Sequence, residues 1–254
     1  MMIRKLLILF AAATIGRCEA ATRSELPTLV NEAQAAYAAG DHAKALALFD
    51  SVRTTHTSTA LLFNIGNCHY KLGDIPRAIL FYERALRLSP GDEDVLANLA
   101  IAEQQVVDRV NQLPSFTLGT TWGRIRGGQD PDQWSRRSLF ASLLFFLLLA
   151  AAFAVRKRGL KRTLLGAAGV GLVLLLLSIV FAVVRNAEIE DDSEAIILTP
   201  KVDVRSEPQS GGTVLFVLHK GTKVEVLDSL NEWYEVQLPN GSVGWMPSTT
   251  LERI

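Results

Sequence analysis

The sequence predicts a multidomain membrane protein with an all-α region of helical hairpins, a two-helix transmembrane hairpin and a small all-β barrel. Apolar residues recur at intervals of three and four within residues 26–111, as they do along one face of a helix. Two apolar runs, 138–155 and 164–184, approach the length of about 20 residues that a helix needs to cross a bilayer. From residue 194 onward apolar residues alternate and are often β-branched or aromatic, which is typical of strands.

The bulk composition agrees with a membrane protein. The 254 residues include 26 basic and 26 acidic side chains, so net charge gives no indication of a nucleic-acid partner. The apolar fraction of 49% is high and is concentrated in three places. We therefore expect a lipid bilayer, and no nucleic acid, among the binding partners.

Residues 1–20 predict a secretory signal peptide. Arg4 and Lys5 precede an apolar run of ten residues, which is too short for an ordinary membrane span. Small residues at Cys18 and Ala20 predict cleavage before residue 21. The alternative is a lipoprotein acylated at Cys18, which the preceding Arg17 disfavours. Cleavage would leave one cysteine and no internal disulfide.

The first soluble region begins after the signal. Residues 58–90 predict two helices, from about Ser58 to Leu72 and from about Ile75 to Leu88, separated by Gly73-Asp74. The spacing resembles a tetratricopeptide repeat, whose signature positions are occupied by Leu62, Gly66, Gly73, Ala78, Tyr82, Ala85 and Pro90. A shift of 33 residues superimposes Gly40-Asp41 on Gly73-Asp74. We predict repeats at 26–58 and 59–92 and a capping helix at 93–111, together forming a domain at 26–111.

The resemblance implies that the first helices of successive repeats line a groove that binds a peptide or a partner helix. By position, the groove residues are Val30, Gln34, Tyr37, Phe63, Asn67, Tyr70, Lys71, Asn98 and Ile101. In some relatives, asparagines at the positions of Asn67 and Asn98 hold a peptide backbone or a terminal carboxylate. Phe63 replaces the lysine that accompanies them, which favours a more apolar, aromatic ligand. The alternative is that these residues form ordinary solvated helix faces.

The middle of the chain predicts the membrane topology. Residues 112–137 form a connector at the membrane surface, with Trp122 and Trp134 at the interface. The loop at 156–163 separates the spans and carries the five basic residues Arg156, Lys157, Arg158, Lys161 and Arg162. Short basic loops stay in the cytoplasm. The signal peptide and this loop together place the repeats and the C-terminal domain on the periplasmic side of a bacterial inner membrane.

The C-terminal domain, 194–254, follows a linker at 185–193. The predicted strands are Ala195–Thr199, Val202–Arg205, Val214–Leu218, Lys223–Leu227, Trp233–Leu238 and Ser242–Met246, and Asn240-Gly241 is a strong hairpin signal. The pattern resembles a bacterial SH3-like domain through Val204-Arg205, Pro208, Gly221, Val224, Trp233, Val236, Gly241, Gly244-Trp245 and Leu251. Alternation makes Trp233 an exposed candidate for ligand binding, while Trp245 belongs to the core or the groove. The alternative is a spacer barrel with packing tryptophans.

No catalytic constellation is recognisable in the sequence. The four histidines have no metal-ligand spacing, and no glycine-rich phosphate loop is present. We therefore predict no enzymatic activity, no metal and no cofactor.

The order of signal, repeats, two spans and SH3-like barrel resembles the E-type proteins of the Bacteroides aerotolerance group. The resemblance implies partnership with von Willebrand-A-type membrane proteins and a MoxR-like ATPase, in an envelope complex linked to oxygen or stress tolerance. The leading hypothesis is a scaffold in the inner membrane that presents two binding modules in the periplasm. The alternative is a cell-wall anchor that binds peptidoglycan through the barrel.

Overall fold

The computed structural model describes residues 26–108 and 133–254, and it confirms the predicted fold class. Helix α1 covers residues 26–38 and is followed by α2 (His42–Arg53), α3 (Thr59–Lys71), α4 (Ile75–Leu88) and α5 (Glu93–Glu103). Two long apolar helices, α6 (Gln133–Ala154) and α7 (Arg158–Glu190), come next. Seven strands end the chain: β1 (Glu194–Ile197), β2 (Lys201–Arg205), β3 (Val214–His219), β4 (Lys223–Leu230), β5 (Trp233–Gln237), β6 (Val243–Pro247) and β7 (Leu251–Arg253).

The Gly-Asp pairs between helices make the same turn in both repeats. Gly40 and Gly73 have φ angles of 84° and 80°, the left-handed conformation that glycine adopts without a steric penalty. The aspartate that follows each glycine caps the next helix, because Asp41 accepts a hydrogen bond from the Lys44 amide and Asp74 from the Arg77 amide. Two residues therefore end one helix and begin its antiparallel partner.

Small residues bring the paired helices close together. Ala33, Ala45, Ala78 and Ala85 are fully buried. At Gly66, a β-carbon would lie 2.6 Å from the ring of Tyr82, so only glycine fits between α3 and α4 at this level. This contact fixes the position of the Tyr82 ring.

The capping helix is shorter than predicted. The sequence predicts a helix over 93–111, whereas α5 ends at Glu103 and residues 104–108 form turns and bends. After Ala102 the apolar residues no longer follow the inward face of the helix, and Val106 and Asp108 contact the barrel instead. The predicted residues 109–111 lie outside the described part of the chain.

The two apolar helices pack as an antiparallel hairpin. Trp134 at the start of α6 contacts Phe181 near the end of α7, with ring centroids 4.8 Å apart. A β-carbon on Gly171 would lie 3.9 Å from the backbone of Phe145, so the helices approach closely. Both are long and apolar enough to cross a membrane.

The predicted boundaries around these helices are wrong in three places. Residues 133–137 of the predicted connector belong to α6. The predicted basic loop, 156–163, is helical from Arg158, and most of the predicted linker, 185–193, is the last part of α7. Hydropathy marks the part of a helix that the bilayer covers, but polar residues with good helix propensity extend the helix beyond it.

The C-terminal strands form one antiparallel sheet in the order β3-β2-β6-β5-β4-β1-β7. The core contains Val204, Val224, Val236 and Met246, all nearly inaccessible. The Asn240-Gly241 turn joins β5 to β6, with Gly241 at φ 86°. The sequence prediction missed β7, because three residues without alternation carry no strand signal.

The barrel packs directly against the repeat region. Ile196 of β1 and Ile254 are buried in the same apolar cluster as the helices α1–α5. The guanidinium of Arg84 on α4 contacts the Glu252 carboxylate at 2.9 Å and donates to the Arg253 carbonyl. The repeats and the barrel, which the α6–α7 hairpin separates in sequence, therefore share one core.

The close approach of α3 and α4 predicts the effect of enlarging Gly66. We expect Gly66→Ala to lower the free energy of unfolding by about 1–3 kcal/mol, because the new methyl group displaces the buried Tyr82 ring. Denaturant unfolding of the chain in detergent measures this change. Gly91→Ala is the matched control, since no atom lies within 4 Å of its β-carbon position. Equal stability of the two variants would contradict the prediction.

Candidate functional site

A cavity of about 270 Å³ lies between the first helices of the successive repeat units. It is lined by Tyr37 of α1, by Asn67, Tyr70 and Lys71 of α3, by Tyr82 of α4, and by Asn98 and Ile101 of α5. Six of the nine predicted groove residues therefore line one cavity, whereas Val30, Gln34 and Phe63 do not. The six are brought together because residues 33 or 34 apart occupy equivalent places in stacked units.

A hydrogen-bond network orders the amides in this cavity. The Asn67 side-chain oxygen accepts hydrogen bonds from the Tyr82 hydroxyl at 2.7 Å and from the Asn98 amide at 2.8 Å. These two bonds use both lone pairs of that oxygen. Among the described residues, the Asn67 amide hydrogens can therefore donate to a ligand, and the Asn98 amide oxygen can accept from it.

Aromatic hydroxyls and one cation complete the lining. The Tyr70 hydroxyl accepts a hydrogen bond from Gln105 at 2.9 Å. Burial raises the pKa of Tyr82 and of Tyr37, so both phenols are neutral at physiological pH. Lys71 is exposed and adds a positive charge to the lining. The cavity thus combines aromatic surface with an amide donor, an amide acceptor and a cation, which suits the backbone of an extended peptide.

Phe63 does not line this cavity. It is partly buried against the repeat core, and its ring centroid lies 5.9 Å from that of Tyr82. The expectation of a mainly apolar, aromatic ligand rested on Phe63, and the polar groups of the lining do not support it. Tyr82 takes part instead, although the sequence indicated only a packing role. The sequence signal for this role was the position of Tyr82 opposite Gly66. From there the phenol ring extends from α4 to Asn67.

A second cleft, of about 470 Å³, lies on the barrel. It is lined by Lys201, Val202, Asp203, Arg205, Ser210, Trp233 and Pro247. Trp233 is half-buried rather than exposed, because it pairs with Pro247 across β5 and β6. The Arg205 guanidinium donates to the carbonyls of Ser210 and Gly212, both at 2.8 Å, and so holds the loop beside the cleft. Trp245 on β6 is half-buried and pairs with Arg205 on β2. It does not line the barrel cleft.

The remaining predicted residues that the structure describes are distributed along the α6–α7 hairpin. Trp134 lies in the first turn of α6, where Arg137 stacks 4.5 Å from its ring. Arg156 and Lys157 connect the two helices, while Arg158, Lys161 and Arg162 lie in the first turns of α7. The predicted signal peptide, 1–20, and Trp122 lie outside the described residues.

His69 is a buried titratable group on α3, the helix that also carries Asn67, Tyr70 and Lys71. Its ring stacks on Phe81 with centroids 5.4 Å apart, and its Nδ1 lies 3.6 Å from an Asp74 oxygen. Burial lowers the pKa of His69, and the attraction of Asp74 offsets this only in part. His69 therefore acts as a neutral packing residue.

Comparison with protein families identifies both soluble regions. Residues 30–93 match the Tetratricopeptide repeat family, and residues 200–252 match the Bacterial SH3 domain family. No curated protein matches the chain. The helical hairpins are therefore tetratricopeptide repeats and the barrel is a bacterial SH3 domain. Domains of both kinds typically bind other molecules and are not catalytic.

The neutral state of His69 predicts a pH dependence of stability. Because the folded state disfavours the protonated ring, the unfolded chain binds this proton more readily. The contribution of His69 is complete above its ordinary pKa of 6.5 and is lost as the pH falls below 6.5 through the lower folded-state pKa. We expect His69→Phe, which keeps the aromatic stack, to lose less stability than the wild type as the pH falls below 6.5.

Denaturant midpoints at several pH values measure this difference. His56→Gln is the control, because His56 is exposed, and its pH profile should follow that of the wild type. Parallel profiles for the wild type and His69→Phe would contradict the prediction.

Proposed function

We propose that this protein is a non-enzymatic adaptor of the bacterial inner membrane that binds an envelope protein in the groove of its tetratricopeptide repeats. The observation that carries the proposal is the cavity formed by Tyr37, Asn67, Tyr70, Lys71 and Asn98. Its donor, acceptor and cation suit an extended peptide segment of a partner, which would be anchored by its main chain.

The packing of the soluble domains supports a common location for both. If α6 and α7 each cross the membrane, the repeats and the SH3 domain lie on the same side, since they pack against each other. Arg185 near the end of α7 donates to the carbonyls of Arg87 and Leu88, so the second span meets the repeats directly. The basic residues between the spans favour the cytoplasm for the hairpin turn, which leaves both domains in the periplasm.

The resemblance to E-type proteins of the Bacteroides aerotolerance group gives the proposal a physiological setting. In that setting the partners are von Willebrand-A-type membrane proteins and a MoxR-like ATPase, and the complex contributes to oxygen or stress tolerance. The shared features are the two matched domains in this order and the two apolar helices between them.

The groove proposal predicts the loss of a partner when the cavity lining is truncated. We expect Lys71→Ala combined with Asn98→Ala to weaken partner binding at least about tenfold, because it removes the cation and one amide of the ordered pair. Cross-linking in native membranes, followed by purification and mass spectrometry, measures which proteins are recovered. Von Willebrand-A-type proteins among them would support the aerotolerance setting.

Two surface variants are the controls for this experiment. Gln104→Ala changes an exposed residue directly after α5 and outside the cavity, and Lys220→Ala removes an exposed positive charge on the barrel. Both should retain the partners. Recovery of the same proteins with the Lys71→Ala/Asn98→Ala variant would reject the groove as the binding site.

A second candidate function is attachment to the cell wall through the SH3 domain. The cleft beside Trp233 favours it, because an aromatic ring next to the charged Lys201 and Asp203 suits a short peptide with charged groups, such as a peptidoglycan stem.

The cell-wall candidate predicts that the purified chain sediments with isolated peptidoglycan. We expect Trp233→Ala to remove most of this binding, since truncation of an aromatic residue in a binding cleft costs about 2 kcal/mol or more. The Lys71→Ala/Asn98→Ala variant should sediment like the wild type. Failure of the wild-type chain to sediment would reject this function.

A further inference from the structure

We propose that the SH3 domain holds the end of the repeat array by docking on α4 and on the residues after α5, and that Asp108 and Lys223 act as positioning residues for the groove. The domain contacts α4 and residues 106–108, and it leaves Leu96 and Ala100 on α5 exposed. The positioning role rests on the proposed groove function, whereas the docking of the SH3 domain is tested separately.

Helix α5 corresponds by position to the first helix of a third repeat. Its residues follow those of α3 by 34 positions, so Leu96 and Ala100 correspond to Leu62 and Gly66. In the second repeat α4 covers these positions, and Leu62 is only 5% exposed. Leu96 is 40% exposed and Ala100 is also exposed. Among the described residues no helix covers this face of α5, so other contacts must hold the end of the array.

The SH3 domain makes apolar contact with α4 and with the residues that follow α5. A methyl group of Val106 lies 2.9 Å from the place of a β-carbon on Gly221, and a methyl of Ile79 on α4 lies 3.5 Å from it. Gly221 has a φ angle of 90°, so both its conformation and its surroundings require glycine. The turn between β3 and β4 therefore packs against α4 and against the residues that follow α5.

Asp108 fastens this turn through three hydrogen bonds. Its carboxylate accepts from the His219 amide at 2.6 Å, contacts the His219 ring at 2.8 Å and accepts from the Thr222 hydroxyl at 2.9 Å. Burial alone would raise the pKa of Asp108, but the hydrogen bonds from His219 and Thr222 lower it. The carboxylate is thus ionised and held by the barrel.

Lys223 forms the second link. Its ammonium group lies 3.1 Å from the Glu83 carboxylate on α4 and 2.9 Å from the Glu194 carboxylate on β1. Burial alone would lower the pKa of Lys223, but the two carboxylates outweigh it and raise the pKa. The charged Lys223 therefore pairs with one carboxylate of the barrel and with one carboxylate of α4.

These links bear on the groove because α5 forms one side of it. Asn98 and Ile101 line the cavity, and Gln105 just beyond α5 bonds to Tyr70. A helix of 11 residues at the end of an array frays unless tertiary contacts hold it. The SH3 domain holds the chain directly after α5, and so sets where Asn98 meets Asn67.

Hydrogen exchange of the full chain in lipid nanodiscs tests the docking without any ligand. We expect Lys223→Ala to speed the exchange of the α5 amides on the order of tenfold, while exchange in α2 stays unchanged. Lys220→Ala is the matched control, because Lys220 is an exposed lysine on the same turn. Lys223→Arg, which keeps the charge and the donors, should restore protection. Unchanged α5 protection in Lys223→Ala would overturn the inference.

Asp108→Asn provides a second variant that keeps the size of the side chain and one acceptor. We expect faster α5 exchange and weaker recovery of the cross-linked partners, although Asp108 does not line the cavity. If the wild type recovers no partner, the groove function fails, and the exchange data still decide the docking. If Asp108→Asn speeds exchange but leaves partner recovery unchanged, the positioning role is rejected.

Discussion

The contact between Tyr82 and Gly66 is the constraint on which the repeat core and the candidate groove both depend. The ring of Tyr82 lies against a glycine that leaves no space for a β-carbon, which sets the distance between α3 and α4. Its hydroxyl reaches through to Asn67 and orients the amide that faces the cavity. One side chain thus joins the packing of the hairpin to the chemistry of the groove. A change in helix spacing would move the amide pair as well as the core.

The second organising feature is the docking of the SH3 domain on the repeats. Apolar side chains of both domains share one core, and charged groups around it are paired across the boundary. Burial of a charged group is costly unless a partner satisfies it, so these pairs select one arrangement of the domains. The end of α7 joins this assembly through Arg185 and the carbonyls at the end of α4. The α6–α7 hairpin, the repeats and the barrel therefore form a connected structure.

Much of the fold was predictable because local signals were strong. The repeated Gly-Asp pair encodes a left-handed residue followed by a helix cap, and both roles follow from the chemistry of those residues. Apolar length indicates the two long helices, and Asn240-Gly241 indicates the β5–β6 hairpin. The ends of α5, α6 and α7 were not predictable to within a few residues, because tertiary contacts and helix propensity outside the bilayer decide them. The short strand β7 has no local signal and forms by pairing with β1.

The sequence by itself determined the order of the modules, the period of the repeats and six of the nine predicted groove positions, since these depend on spacing along a regular helix. Only the tertiary structure decided that Phe63 packs inward while Tyr82 reaches the cavity, because that depends on which rings meet between α3 and α4. It also decided that the barrel packs against α4 and against the residues after α5. His219 and Asp108 are 111 residues apart in sequence, and no local pattern records a contact that only the folding of the intervening hairpin brings about.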